Sequence, residues 1–96
     1  MTIVSIGFVE AEGFVSVFDA AEHMAKTAAV DLGAIVSIGG GRVAVSVTGP
    51  LEHVVEAVEA AEDTIRAGHG ISATSVVLAN PGAAVRGIAA DLSAIG

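Results

Sequence analysis

Three consecutive glycines, Gly39 to Gly41, lie between two β-branched runs and constrain the fold more than any other feature of this sequence. Residues 30–38 precede them, and residues 42–48 alternate between valine and the smaller Ala, Ser or Thr. Two such runs around glycine predict a β-hairpin, because glycine adopts the positive φ of a tight turn. A phosphate-binding loop requires a helix directly after the glycines, and the strand pattern of residues 42–48 argues against one. Three glycines exceed what a tight turn requires, so we expect a functional reason for the excess.

Two amphipathic helical patterns flank the predicted hairpin, one before it and one after it. The apolar stripe of the first, over residues 14–28, consists of Phe14, Val17, Phe18, Ala21, Ala25 and Ala28. The second begins after Gly49-Pro50 and ends before Gly68, and its stripe consists of Leu51, Val54, Val55, Val58, Ala61 and Ile65. We expect both stripes to pack against a sheet.

The remaining β-branched runs, residues 2–9 and 71–78, predict two further strands, and residues 83–92 predict a short C-terminal helix. The resulting order is β-α-β-β-α-β with a final helix. Two right-handed crossovers and one hairpin predict an α+β fold, a ferredoxin-like sandwich with an antiparallel sheet. No linker divides the chain, so we expect residues 1–96 to form a single domain.

Composition excludes several classes of protein. The chain is 53 % apolar, has no cysteine and carries a formal charge of −7, which argues against disorder, disulfide scaffolds, cysteine-based metal modules and nucleic-acid binding. The mean hydropathy of +0.78 implies exposed apolar surface on so short a chain. The longest uncharged stretch, residues 67–85, contains His, Asn, Pro and Gly and suits no membrane span. Without a secretory signal pattern, we expect a cytoplasmic protein that self-associates.

No residue pattern predicts catalysis, a metal or a cofactor. Asp19 and His23 lie one helical turn apart, but two ligands without a third make a weak metal site, and we interpret both as solvated. His53 and His69 are isolated, and the serines show no nucleophile motif. The acidic second helix offers one favourable pair, Glu62 with Arg66. We therefore predict that the protein is not an enzyme.

Four motifs, in order, carry a resemblance to a known family. They are Gly7-Phe8-Val9-Glu10 with Gly13, Ala20-Ala21-Glu22-His23-Met24-Ala25-Lys26, Ser37-Ile38-Gly39-Gly40-Gly41, and Ala57-Val58-Glu59-Ala60-Ala61. In this order and spacing, over essentially the whole chain, the sequence resembles the small hexameric shell proteins of bacterial microcompartments, of carboxysome and metabolosome type.

The resemblance implies a structural role, with no cofactor. Six copies form a cyclic homohexamer, and hexamers tile with other shell proteins and pentameric vertex proteins into a shell that encloses enzymes in the cytoplasm. It also implies a central pore for small polar metabolites. The residues that match this pore are Ser37, Ile38, Gly39, Gly40 and Gly41.

The resemblance further implies a contact between neighbouring hexamers at Lys26. Asn80 lies nearest to the position of a family arginine that helps to clamp this edge and that is missing here, so we expect weaker lateral tiling or another contact. Gly40 stands where the family commonly has serine at the narrowest part of the pore, and Ser37 replaces a lysine.

A second hypothesis comes from a different functional class. A ferredoxin-like regulatory domain binds a small molecule at a dimer interface and uses loop glycines for binding. A native mass distinguishes the two, because the regulator is a dimer with ligand-dependent stability and the shell protein is a hexamer. A small metal chaperone, the third possibility, is disfavoured by the lack of cysteine.

Overall fold

The structure is a computed structural model and describes residues 4–79 of the chain. Its elements are β1 (Val4–Glu12), α1 (Phe14–Thr27), β2 (Asp31–Gly39), β3 (Arg42–Pro50), α2 (Leu51–Asp63), a π-helical segment (Thr64–Gly68) and β4 (Ala73–Ala79). The predicted order of four strands and two helices is confirmed. The helix predicted over residues 83–92 and the edge residue Asn80 lie outside the described residues.

The four strands form one sheet in the order β2-β3-β1-β4, and every neighbouring pair is antiparallel. The predicted ferredoxin-like α+β fold is therefore confirmed. Each helix connects two strands that are separated in the sheet by a third, so β1 and β3 lie in the centre and β2 and β4 form the edges. Within residues 4–79, no helix is long and apolar enough to cross a membrane.

The core lies between the helices and one face of the sheet, and it consists almost entirely of small aliphatic side chains. On the sheet it includes Val9, Ala11, Val43, Val45 and Val47, and on the helices Val17, Ala20, Ala21, Met24, Val54, Ala57, Val58, Ala61 and Ile65. The alternation predicted for β3 places its valines on this face. On the opposite face of β3, Ala44 and Ser46 are also buried, with exposed fractions of only 7 % and 4 %.

The close packing of α2 on the sheet depends on Gly7 in the central strand β1. A Cβ added at Gly7 would lie 2.8 Å from Val58 Cγ2, 2.9 Å from Val54 Cγ1 and 3.2 Å from Val47 Cγ2. Side chains essentially never approach this closely without displacing a neighbour. The missing Cβ therefore allows α2 to pack directly on the backbone of β1.

The apolar stripe predicted for α1 is only partly right. Val17 and Ala21 are buried, but Phe14 is 49 % exposed, Phe18 is 62 % exposed and Ala25 is exposed. The buried face consists instead of Ser16, Val17, Ala20, Ala21 and Met24. The helix is rotated from the predicted orientation because alanines and Met24 fit the thin space above the sheet, where phenylalanine rings would not. On α2, the predicted stripe is correct except at Val55, which is 36 % exposed.

The sequence predicts the whole region from Leu51 to Arg66 as one regular helix, but its last turn is π-helical, from Thr64 to Gly68. The predicted pair of Glu62 and Arg66 is present. Glu62 also accepts a hydrogen bond from Ser75 Oγ at 2.5 Å. This contact joins the C-terminal end of α2 to the edge strand β4.

We predict that Gly7→Ala lowers the free energy of unfolding by about 1–3 kcal/mol, the usual cost of overpacking a filled core. Gly68→Ala is the matched control, because no atom lies within 4 Å of its added Cβ and its φ is not positive. Urea denaturation of both variants measures the difference. Equal stabilities would contradict the role given to Gly7.

Candidate functional site

The glycine hairpin, Gly39 to Gly41, joins β2 to β3 through a two-residue turn. Gly39 and Arg42 are the last paired residues, which leaves Gly40 and Gly41 outside the ladder. Their φ angles are +62° and +79°. Positive φ at both central positions defines a type I′ turn, which matches the twist of the two strands and favours glycine at both positions.

The third glycine has a local reason of its own. The register shifts between Ser37 and Gly39, so that Ile38 lacks a partner and Gly39, with a φ of +100°, faces Arg42. An extra residue at such a shift forms a β-bulge, a second position that favours glycine. Backbone geometry therefore favours glycine at all three positions, and our expectation of a functional reason for the excess stays a prediction.

The glycine hairpin is anchored to the start of α1. The backbone N–H of Gly13, itself at a φ of +85°, donates a hydrogen bond of 3.0 Å to the carbonyl oxygen of Gly41. All three hairpin glycines are exposed, and no atom lies within 4 Å of a Cβ built on any of them. The hairpin is thus held at its base and open at its tip.

The side chains beside the hairpin carry no net positive charge. Ser37 is exposed and uncharged, and Ile38 is 45 % exposed. The Arg42 guanidinium lies 3.1 Å from Glu10 Oε1, and the backbone of Arg42 pairs with that of Glu12. Within residues 4–79, the basic residue next to the turn is Arg42, and these carboxylates match its charge.

Lys26 lies in the last turn of α1, at the opposite end of that helix from the hairpin. Its side chain is 71 % exposed, and its ammonium lies 3.7 Å from Glu22. A surface pair of this kind contributes about 0–1 kcal/mol, so it restrains Lys26 little. At 1.5 Å per residue, α1 separates Lys26 from Gly13, which anchors the hairpin, by about 20 Å.

His23 on α1 and His69 after the π-helical segment each make a side-chain hydrogen bond. Asp19 Oδ2, which the sequence places one helical turn from His23, pairs with His69 Nε2 at 2.9 Å. His23 Nδ1 lies 2.6 Å from Thr64 Oγ1, which donates its proton to the Ala60 carbonyl. His23 therefore donates through Nδ1. Among residues 4–79, no cluster of three or more metal-ligating side chains is present.

Comparison with protein families identifies the domain. The model of the family described as "BMC domain" matches residues 5–81, which is most of the chain.

Curated relatives and a solved structure agree with that match. The chain is 35 % identical over 79 residues to the carboxysome shell protein CcmK2 of Thermosynechococcus vestitus, covering 81 % of this chain and 78 % of the relative. It is 39 % identical over 67 residues to the carboxysome shell protein CcmK1 of Synechocystis, covering 70 % of this chain and 60 % of the relative. The crystal structure of a microcompartment protein from Desulfitobacterium hafniense matches with a TM-score of 0.77 and 30 % identity. That match covers 90 % of this chain, which spans about half (48 %) of the larger protein.

We predict that Gly40→Ala destabilises the protein by about 1–2 kcal/mol, the cost of placing a Cβ in the left-handed region. Gly40→Asn is expected to cost less, because asparagine tolerates this conformation. Thermal unfolding of the two variants measures both values. If alanine and asparagine cost the same, positive φ does not explain why glycine occupies position 40.

Proposed function

This chain belongs to the BMC domain family, and from that membership we propose that it is a structural shell protein of a bacterial microcompartment. In this proposal, six copies form a cyclic ring, the glycine hairpins meet at its axis, and the rings tile edge to edge with other shell proteins. Pentameric vertex proteins close the shell, and the enclosed enzymes exchange small polar metabolites through the axial pore.

The glycine hairpin carries the pore proposal through its exposed and anchored position, which is the single observation on which that proposal rests. It is exposed, anchored through Gly13, and free of side chains at all three positions. Six such turns brought together present backbone amide and carbonyl groups to the channel, and successive backbone N–H groups favour polar solutes. Glu10 and Glu12 add negative charge near the hairpin base, which opposes the attraction of anions.

The position of Lys26 supports the proposed tiling edge. A ring that tiles needs one end of each subunit at the axis and another at the perimeter. The hairpin is bonded to the residue preceding α1, and Lys26 lies one helix length away, where its exposed ammonium is available to a neighbouring ring. The contribution of Asn80 to this edge remains part of the proposal.

The regulatory-domain hypothesis is not favoured by these findings. The two carboxysome relatives are shell proteins by name, and the matching crystal structure is a microcompartment protein. We expect a native mass of six chains, whereas a regulator of the alternative kind would have the mass of two.

We predict that Gly40→Leu assembles into hexamers but reduces metabolite flux, because six leucine side chains converge on the axis. Gly40→Ala is the control, since it imposes the same positive φ with a much smaller side chain. Flux of a small polar metabolite into reconstituted shells is the measurement. Equal flux through the two variants, with hexamers intact, would rule out the pore at position 40.

We predict that Lys26→Asp leaves the hexamer intact and impairs the tiling of rings into extended protein sheets, because a carboxylate replaces the ammonium at the contact between rings. Lys26→Arg keeps the charge and is expected to retain sheets. Native mass spectrometry measures the ring, and electron microscopy measures the sheets. Normal sheets from Lys26→Asp would contradict the edge assignment.

A further inference from the structure

One carboxylate, that of Glu12, belongs to the residue that immediately precedes the anchor of the glycine hairpin. Glu12 is the last residue of β1, and the N–H of the next residue, Gly13, donates to the carbonyl oxygen of Gly41 at 3.0 Å. Across the sheet, Glu12 pairs with Arg42, which follows the turn. Strand pairing and the anchoring hydrogen bond therefore both hold the backbone of Glu12 beside the hairpin.

A buried serine at the start of α1 restrains the same backbone from the side of the helix. Ser16 is 4 % exposed, and its Oγ donates a hydrogen bond of 2.8 Å to the backbone carbonyl oxygen of Glu12. The same Oγ lies 3.1 Å from the carbonyl oxygen of Gly13. The side chain of Glu12 is nevertheless exposed. Glu12 thus has a fixed backbone and a carboxylate that faces water.

The positive charge of Arg42 is already neutralised by a different carboxylate. The Arg42 guanidinium contacts Glu10 Oε1 through Nη2 at 3.1 Å and through Nε at 3.2 Å. The ion pairs formed among residues 4–79 include no cationic partner for Glu12. In this part of the chain, each hairpin therefore carries one negative charge in excess.

The excess charge lies close enough to the turn to act on a solute there. Paired Cα atoms of antiparallel strands are about 4.5–5.5 Å apart and consecutive Cα atoms are about 3.8 Å apart, so the Cα atoms of Glu12 and Gly41 are separated by about 9 Å or less. The Debye length at physiological ionic strength is about 8 Å. Salt therefore screens the Glu12 carboxylate only in part at the hairpin.

We propose that Glu12 makes the pore at the glycine hairpins selective for cationic and neutral polar solutes over anions. This inference rests on the proposed ring and deepens it, because it names the class of solute that passes. A cleft lined by charge of one sign raises the local concentration of the opposite ion and lowers that of the like ion. Each chain of the ring contributes one such carboxylate beside its turn.

The exposed backbone N–H groups of the turn act in the opposite direction, because successive N–H groups attract anions. These groups carry partial charges, and each is accompanied by the opposing dipole of a carbonyl group, whereas Glu12 carries a full negative charge. Neither Ser37 nor the three glycines add a cation. The sign of the selectivity is therefore set by the carboxylate.

Three probes of nearly the same size and shape test the charge selectivity: acetamidinium, acetamide and acetate. Their influx into reconstituted shells is measured, and the part that Gly40→Leu abolishes is assigned to the pore. We expect acetamidinium to enter about tenfold faster than acetate, with acetamide between them. The ratio should fall toward one when the salt concentration is raised to about 1 M, where the Debye length is about 3 Å.

Two matched variants separate the local charge of Glu12 from the total charge of the protein. Glu12→Gln should bring the influx ratio of acetamidinium to acetate close to one, with an unchanged circular dichroism spectrum and native mass. Glu52→Gln removes the same charge from an exposed residue in the first turn of α2. The length of β3 places Glu52 about 26 Å from the hairpin, so its removal should leave the ratio unchanged.

Several outcomes would overturn this inference while leaving the proposed pore in place. They are a wild-type protein that admits acetate as fast as acetamidinium, a Glu12→Gln variant that keeps the wild-type ratio, and a Glu52→Gln variant that lowers the ratio equally. Influx that Gly40→Leu does not reduce would instead contradict the pore itself, and this inference with it.

A second variant gives an independent result if Glu12→Gln fails to assemble. Arg42→Gln removes the guanidinium that neutralises Glu10 and so leaves two uncompensated carboxylates beside each turn. The influx ratio of acetamidinium to acetate should then rise above the wild-type value. An unchanged or lower ratio would refute control of the pore by these charges.

Discussion

The contact of α2 with the backbone of Gly7 is the constraint on which the rest of the fold depends. Because no side chain separates helix from strand there, Val54 and Val58 lie directly over the central strand β1. That close approach makes the space between the layers thin, and a thin core is filled by valine and alanine with single larger residues such as Met24 and Ile65. The predominance of small aliphatic side chains in the sequence is thus a consequence of how closely the layers pack.

The same thin core explains why aromatic side chains lie at the surface. A phenylalanine between the layers would force α1 or α2 away from the sheet and lose the contacts around Gly7. Phe14 and Phe18 therefore point outward from α1, and Phe8 points to the opposite face of the sheet. Part of the apolar surface implied by the mean hydropathy thus lies on the outer side of α1, and part lies on the sheet face opposite the helices.

Much of the fold is predictable from the sequence because the β-branched runs of the strands and the amphipathic stripes of the helices have clearly different periods. The rotation of α1 is not, because its apolar residues form more than one stripe and alanine suits either face. The contacts of Asp19 with His69 and of Glu62 with Ser75 join residues 50 and 13 positions apart, so no local pattern indicates them. The bulge at Gly39 also escapes prediction, since a shift in register depends on the partner strand.

The β-bulge at Gly39 changes how the glycine hairpin is interpreted as evidence for function. Glycine at these positions is favoured by positive φ within a single chain, so its presence alone does not indicate a pore. Further support for the proposed ring comes from placement, because the hairpin is bonded to one end of α1 and Lys26 lies at the other end of the same helix. In the proposed ring, α1 would therefore run from a hairpin at the axis to Lys26 at the outer edge. A ring that tiles needs this separation, because its subunits must meet at an axis and also present an outer edge.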